Sequence, residues 1–199
     1  MKNSYWVLRH GRSKANEAGV IVSSLNNGVK VEYALSEAGK QQAVEAGRQL
    51  AGELTQRGLA PSSLQIYSSP FSRTVETAEL VATELGLPVS SVVKETDLRE
   101  RYFGTALELQ SHDLYAGVWE VDMQDVSQGP AGGGESVKAV STRLSGLLDR
   151  LEEAHEGETI LLVAHGDTLS ILTTTVKGGE LGSHREWGLK TAELSLLVP

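Results

Sequence analysis

The chain contains no cysteine, which removes disulfides, thiolate metal sites and cysteine nucleophiles from consideration. That absence also fits a reducing compartment, and a cytoplasmic protein is expected. Cations are in deficit: 18 Lys and Arg stand against 26 Asp and Glu, for a formal net charge of -8. Nucleic-acid binding depends on clustered cations that neutralise phosphates, so no such partner is expected. Any anion bound here must meet a local cationic pocket. Long hydrophobic runs are missing too. The longest, "ILLVA" at 160–164, is far below a membrane span, and with a motif as early as Arg9 no leader peptide is expected ahead of it. Aromatic residues make up only 5%, so the core must be built from Leu, Val and Ala.

What is present suits strands alternating with helices. The 199 residues are 40% hydrophobic and include 21 glycines, enough for one sizeable core with many tight turns and too little for two, so residues 1–199 are expected to form a single domain. Apolar runs predict strands at 4–8, 64–69, 89–95, 159–164 and 192–198. Helical spacing of apolar residues predicts helices from Ser36 to Gly58, from Pro70 to Gly86, from Glu135 through Leu151, and from Asp167 onward. A polar stretch, 13–33, reads as loop. Residues 98–134 show no clear period and read as a lid or insertion over a site. The expected fold class is α/β, a three-layer sandwich with a mostly parallel central sheet and helices on both faces.

Chemistry gathers where three strands end. "YWVLRHGRS" at 5–13 runs four apolar or aromatic residues into Arg9, His10, Gly11 and Arg12. "SSPFSR" follows the second strand and "AHGD" follows the strand at 159–164. Ligands of a parallel sheet bind beyond the carboxyl ends of its strands, near helix N-termini. If these strands are neighbours, Arg9, His10, Arg73 and His165 share one pocket with the N–H groups of Gly11 and Gly166. That set suits a tetrahedral dianion such as phosphate. Each histidine alone could be an ordinary loop residue, and Arg73 in a first helical turn opposes the helix dipole unless an anion sits nearby. A zinc site from His10, His165 and a carboxylate is the competing reading. Two adjacent guanidiniums would repel a dication, so no metal is expected. No Walker loop, aspartate-nucleophile motif or cysteine is present, and histidine remains as the nucleophile.

"LRHGRSKAN", "SSPFSRTVETA", "LRERYFG", "GGGES" and "VAHGD" together resemble, in order, the landmarks of the histidine phosphatase superfamily, which includes the cofactor-dependent phosphoglycerate mutases. The resemblance covers nearly the whole chain. It implies a phosphoglycerate mutase-like fold in which His10 forms a phosphohistidine, while Arg9, Arg73 and His165 clamp the phosphoryl oxygens. Glu100 would protonate the leaving alkoxide and then activate water. Ser13, Asn16 and the N–H of Gly166 would assist at the rim. Arg12, at a position that varies in the family, is counted among the substrate contacts together with Arg101, Tyr102 and Phe103. Glu135 and Ser136 could line the site or merely cap the following helix.

Two features separate hydrolysis from transfer. The stretch between Glu100 and His165 is short and carries no consecutive arginine pair of the kind mutases use for a substrate carboxylate, and "GGGES" resembles the phosphatase branch. The 17–34 loop is longer than in the mutases and lacks their Gly-Trp landmark. With Tyr102, Phe103, His112, Tyr115 and Trp119, it is expected to wall the pocket. The implied activity is a metal-independent phosphomonoester hydrolase of the histidine acid phosphatase type, acting on a small phosphorylated metabolite without a cofactor. A phosphoglycerate mutase and a non-catalytic phosphate-binding module are the alternatives. A homodimer is left open.

Overall fold

The computed structural model describes residues 1–199. Its five strands are β1 (Ser4–Arg9), β2 (Leu64–Ser68), β3 (Val92–Lys94), β4 (Thr159–Ala164) and β5 (Leu194–Val198). They form one sheet in the order β3-β2-β4-β1-β5. The first four are parallel, and β5 pairs antiparallel with β1 at the edge. Every residue of the central strand β4 is buried, which is why its sequence is a continuous apolar run rather than an alternating one.

Successive side chains of a strand point to opposite faces, and that alternation builds two cores. Tyr5, Val7, Ile160 and Leu162 face one layer, with Leu144, Leu148, Leu169 and Leu172. Trp6, Leu8, Leu161 and Val163 face the other, with Leu50, Leu54, Ala78 and Val81. The helices that supply these partners are α3 (Glu37–Gln56) and α4 (Ser72–Glu84) on one side, and α6 (Val137–Ala154) and α7 (Gly166–Lys177) on the other. The remaining helices are short: α1 (Lys14–Ala18), α2 (Leu25–Gly28) and α5 (Tyr115–Gln124). Truncating a fully buried side chain such as Leu162 to alanine costs about 2–5 kcal/mol.

Local signals set the helix ends. Ser36 Oγ accepts from Gly39 N at 3.2 Å and Ser136 Oγ accepts from Ala139 N at 3.1 Å, N-capping α3 and α6. The second of these assigns Ser136 to capping. Several boundaries differ from the sequence reading. The third strand keeps only three residues, because 89–91 wind into a 3-10 turn after Pro88. The polar 13–33 stretch is not bare loop: Ser13 and Asn16 form a capping box on α1, and Ser24 caps α2. Both helices are too short to show a hydrophobic period. The 98–134 segment contains α5, which buries only Val118 and Asp122 and so lacks an apolar stripe. No helix is long and apolar enough to cross a membrane.

Candidate active site

The strand order brings the three motifs together. β1 and β4 are in register up to Arg9 opposite Ala164, so His10 and His165 emerge side by side. His10 N donates to Ala164 O at 3.0 Å, and on the other flank Ser69 N donates to Val163 O at 3.0 Å. The two imidazole rings lie 5.2 Å apart, edge to face. Arg73 enters from the first turn of α4 and Glu100 from the loop after β3. Together they bound a cleft of about 300 Å³, a size suited to a small ligand. Close backbone approach is required beneath it: a Cβ on Gly11 would sit 2.3 Å from Gly39 O.

His10 Nδ1 lies 2.7 Å from Gly11 O. A carbonyl only accepts, so Nδ1 carries the proton and Nε2 presents a lone pair, to which Arg73 Nε donates at 3.2 Å. Burial, then the charges of Arg73 and Arg9, hold the His10 pKa well below its ordinary value, so the ring is neutral. His165 is neutral for the same first two reasons, burial and Arg73. Its Nε2 is 2.8 Å from Ser69 Oγ. Ser69 Oγ already accepts from Phe71 N at 3.3 Å, so its own proton is free to go to Nε2. With the serine hydroxyl donating to Nε2, the imidazole proton sits on Nδ1, 4.0 Å from Glu100 Oε2.

The cationic groups are held but not saturated. Arg9 Nη1 donates to Leu189 O at 2.6 Å and Arg73 Nη2 to Val22 O at 3.0 Å. Arg9 Nε, Arg73 Nη1 and His165 Nδ1 are buried and have no hydrogen-bond partner within the protein. A buried donor left unpaired costs about 1–3 kcal/mol. Arg9 and Arg73 line the cleft and fit an oxyanion with several acceptor oxygens, while His165 is fully buried beside His10 and outside that lining.

Glu100 is 8% exposed. Its Oε1 accepts from Arg101 N at 3.0 Å and Thr168 Oγ1 at 3.1 Å, leaving Oε2 without a hydrogen bond. Burial, followed by the nearby Asp167 carboxylate, raises its pKa above the usual carboxylate range. The cleft therefore pairs a neutral imidazole with a carboxyl group biased toward its protonated form. No group of three or more His, Asp or Glu is arranged to hold a metal ion.

Among the other residues singled out from sequence, Ser13, Asn16, Gly166 and Phe103 reach the cleft, as do His112, Tyr115 and Trp119. Ser13 and Asn16 also cap one another at 3.0 Å. Three do not reach it. Arg12 is exposed and pairs with Glu17 at 3.6 Å. Tyr102 is tied through its N–H to Glu135 Oε2 at 3.0 Å. Arg101, expected at the substrate, is fully buried: it grips Asp122 with two bonds of 2.6 and 2.8 Å and reaches Asp167 at 3.1 Å. With its donors turned into the protein, it is a structural cation. Glu135 likewise serves ion pairs with Arg99 at 2.6 Å and Arg143 at 3.0 Å rather than the cleft.

Arg185 lines the cleft without having been anticipated, and the apolar Val20 and Val22 bring the 17–34 segment to its wall. Asp167 sits among them as a hub, accepting from Arg101 on Oδ2 and from Arg185 (3.1 Å), Trp119 (3.3 Å) and His184 (3.3 Å) on Oδ1. Burial opposes its ionisation, but His184 and Arg101 outweigh it and hold the Asp167 carboxyl well below the usual range.

A five-stranded α/β sheet whose strand ends set two histidines side by side, with His10, Arg9 and Arg73 lining one cleft, defines a phosphoglycerate mutase-like protein. The chain belongs to the histidine phosphatase superfamily, branch 1, whose family profile matches residues 5–199. It is 31% identical over 195 residues to a probable phosphoglycerate mutase from Photorhabdus laumondii, covering 96% of this chain and 81% of that one. It is 29% identical over 170 residues to a metal-independent phosphoserine phosphatase from Arabidopsis thaliana, covering 82% of this chain but only 64% of the relative. Among solved structures, a mycobacterial glucosyl-3-phosphoglycerate phosphatase complexed with VO3 superposes with a TM-score of 0.78 at 25% identity, covering 97% of this chain and 91% of that one.

Proposed function

We propose that this protein is a metal-independent phosphatase that hydrolyses a small phosphomonoester through a phosphohistidine at His10. The observation that carries this reading is the His10 ring, buried and neutral, with Nδ1 committed to the Gly11 carbonyl and the Nε2 lone pair engaged only by Arg73. Nε2 would attack phosphorus as the bond to the leaving oxygen breaks, and Glu100 would pass its proton to that oxygen. Arg9, Arg73 and His165 Nδ1 supply donors for the three non-bridging oxygens, where charge must be held by groups already in place. In the second step water attacks phosphorus, Glu100 takes the water proton, and the N–P bond breaks to return neutral His10 and inorganic phosphate.

Ser13, Asn16 and the Gly166 N–H assist at the rim in this reading. Phe103, His112, Tyr115 and Trp119 wall the leaving-group end. No cofactor is required. Transfer to a second substrate, as in a mutase, would use the same phosphoenzyme but needs a cationic grip on the acceptor. No Lys or Arg occurs from Tyr102 to Val137, so Arg185 is the single cation lining the cleft beyond Arg9 and Arg73, a sparse grip that favours water as acceptor. A pure phosphate binder would have no use for a carboxyl group biased toward protonation.

The test is release of inorganic phosphate from a panel of phosphomonoesters, phosphoglycerates included, with isomerised product followed in parallel. Rapid release, unchanged by EDTA, is expected. Isomer without phosphate release would identify a mutase, and activity lost to EDTA and restored by zinc would overturn the metal-free reading.

A further inference from the structure

Glu108 lies outside the cleft lining, and none of the steps above uses it. Its carboxylate nonetheless gathers five hydrogen bonds from one short segment. Oε2 accepts from Ser23 N (3.0 Å), Ser23 Oγ (2.8 Å) and Ser24 N (3.0 Å). Oε1 accepts from Ser24 Oγ (2.7 Å) and Asn27 Nδ2 (2.9 Å). Burial works against ionisation of Glu108, yet these donors, led by Ser24 and Asn27, hold its pKa below the ordinary value.

The segment it grips carries the anchor of Arg73. Val22, next to Ser23, offers the carbonyl to which Arg73 Nη2 donates at 3.0 Å. The only other side-chain hydrogen bond of Arg73 goes to His10 Nε2, and Arg73 forms no ion pair. Its guanidinium also lies 4.9 Å from the centre of the Phe71 ring, a contact without directional bonds, so its hydrogen-bonding direction is set by one carbonyl and by the imidazole it faces. Two backbone bonds, Ile21 N to Gln110 O and Leu109 N to Ile21 O, both 2.8 Å, fasten the same segment to the chain around Glu108. Leu109 adopts a φ of 63°, a left-handed conformation unusual for a non-glycine residue and tolerated where surrounding structure demands it.

We infer that Glu108 is a positioning residue for the phosphoryl clamp: by fixing Ser23 and Ser24 it sets the Val22 carbonyl, which aims Arg73 at His10 and the cleft. This rests on the reading of Arg73 as a phosphoryl-binding group. Small displacements of a positioned group can cost about 100-fold in rate. A role confined to loop stability would lower the melting temperature without altering a property that Arg73 controls.

The experiment is a double-mutant cycle of Glu108→Ala and Arg73→Ala, read by kcat/KM on p-nitrophenyl phosphate and by calorimetric affinity for inorganic phosphate. Glu108→Ala is expected to lower both by about 10- to 100-fold in the Arg73 background and to add little once Arg73 is alanine. Glu108→Gln, whose amide keeps one acceptor oxygen, is expected to fall between wild type and alanine; if the alanine variant fails to fold, the cycle is run with it. Unchanged phosphate affinity in a folded Glu108 variant, or losses that add fully in the Arg73→Ala background, would overturn the inference. A wild-type protein that binds phosphate but hydrolyses nothing would instead defeat the phosphatase reading, with Glu108 still tested by affinity.

Discussion

Arg73 Nε donates to His10 Nε2 across 3.2 Å while the Gly11 carbonyl accepts from Nδ1 at the other end of the ring, 2.7 Å away. An imidazole held between a donor and an acceptor has one tautomer. The atom proposed to attack phosphorus is also the atom Arg73 must release, so an arriving phosphoryl group would exchange a ring nitrogen for an oxygen as the partner of Arg73. The proposed nucleophile and the proposed clamp are thus joined by a hydrogen bond before any substrate enters.

His10→Ala is accordingly expected to lower phosphate release by at least about 1000-fold. His10 sits at the end of β1 rather than in either apolar core, so circular dichroism should show the fold retained. Activity surviving in a folded variant would remove His10 from the nucleophile's role.

The pH dependence follows from Glu100. Its pKa is raised, by burial first and by Asp167 second, so the protonated acid persists above the usual carboxylate range and is lost as pH rises through the shifted value. Asp167→Asn takes away a negative charge and frees Arg101 and Arg185 of a partner, and both changes favour ionised Glu100. The alkaline limb of kcat should therefore move to lower pH. Glu100→Gln should flatten that limb while lowering kcat by about 100- to 10,000-fold. If neither substitution alters the limb, Glu100 is not the group that titrates in turnover.

How much of this could be read in advance depended on the range of the signal. His10 was legible because a buried apolar run ending in Arg-His-Gly has no reason to carry those residues as core. Helices α3, α4 and α6 were legible because their apolar residues repeat at helical spacing. Arg101 was misplaced because a cation beside an acid reads as part of a site. Its partners Asp122 and Asp167 lie 21 and 66 residues further on, and no local pattern announces such pairs. Arg185 stayed hidden in a glycine-flanked stretch without periodicity, and α5 because its single buried apolar residue leaves no stripe to detect.

Arg101 makes a stability prediction rather than a kinetic one. It is fully buried, and replacing it with methionine leaves Asp122 without its paired cation and strips Asp167 Oδ2 of its one ion-pair partner. Removing one member of a buried ion pair typically costs about 3–5 kcal/mol. Urea denaturation should register a loss of that order, and Asp122→Leu added to Arg101→Met should recover part of it. The same network sets an acid limit. A depressed Asp167 pKa contributes stability that is complete above the unfolded carboxylate pKa and is lost as pH falls toward the folded value. A variant as stable as wild type would mean that the pair is dispensable.

Arg185 bears on which leaving group the cleft accepts. Its guanidinium lies 3.9 Å from the ring of Trp119, which stacks in turn on Tyr115, while Nη1 rests on Asp167. The side chain is 39% exposed, so it is fixed at one edge and open at the other. Nε and Nη2 make no hydrogen bond within the protein, and a charge-assisted bond to a ligand anion is worth about 1.5–3 kcal/mol. Arg185→Ala should therefore raise KM by about 10- to 100-fold for phosphomonoesters whose leaving group carries a carboxylate, with kcat little changed. For p-nitrophenyl phosphate, whose leaving group has no second anion, KM should stay near the wild-type value. Equal losses on both substrates would mean that Arg185 supports the cleft wall through Trp119 and Asp167 instead of reading the substrate.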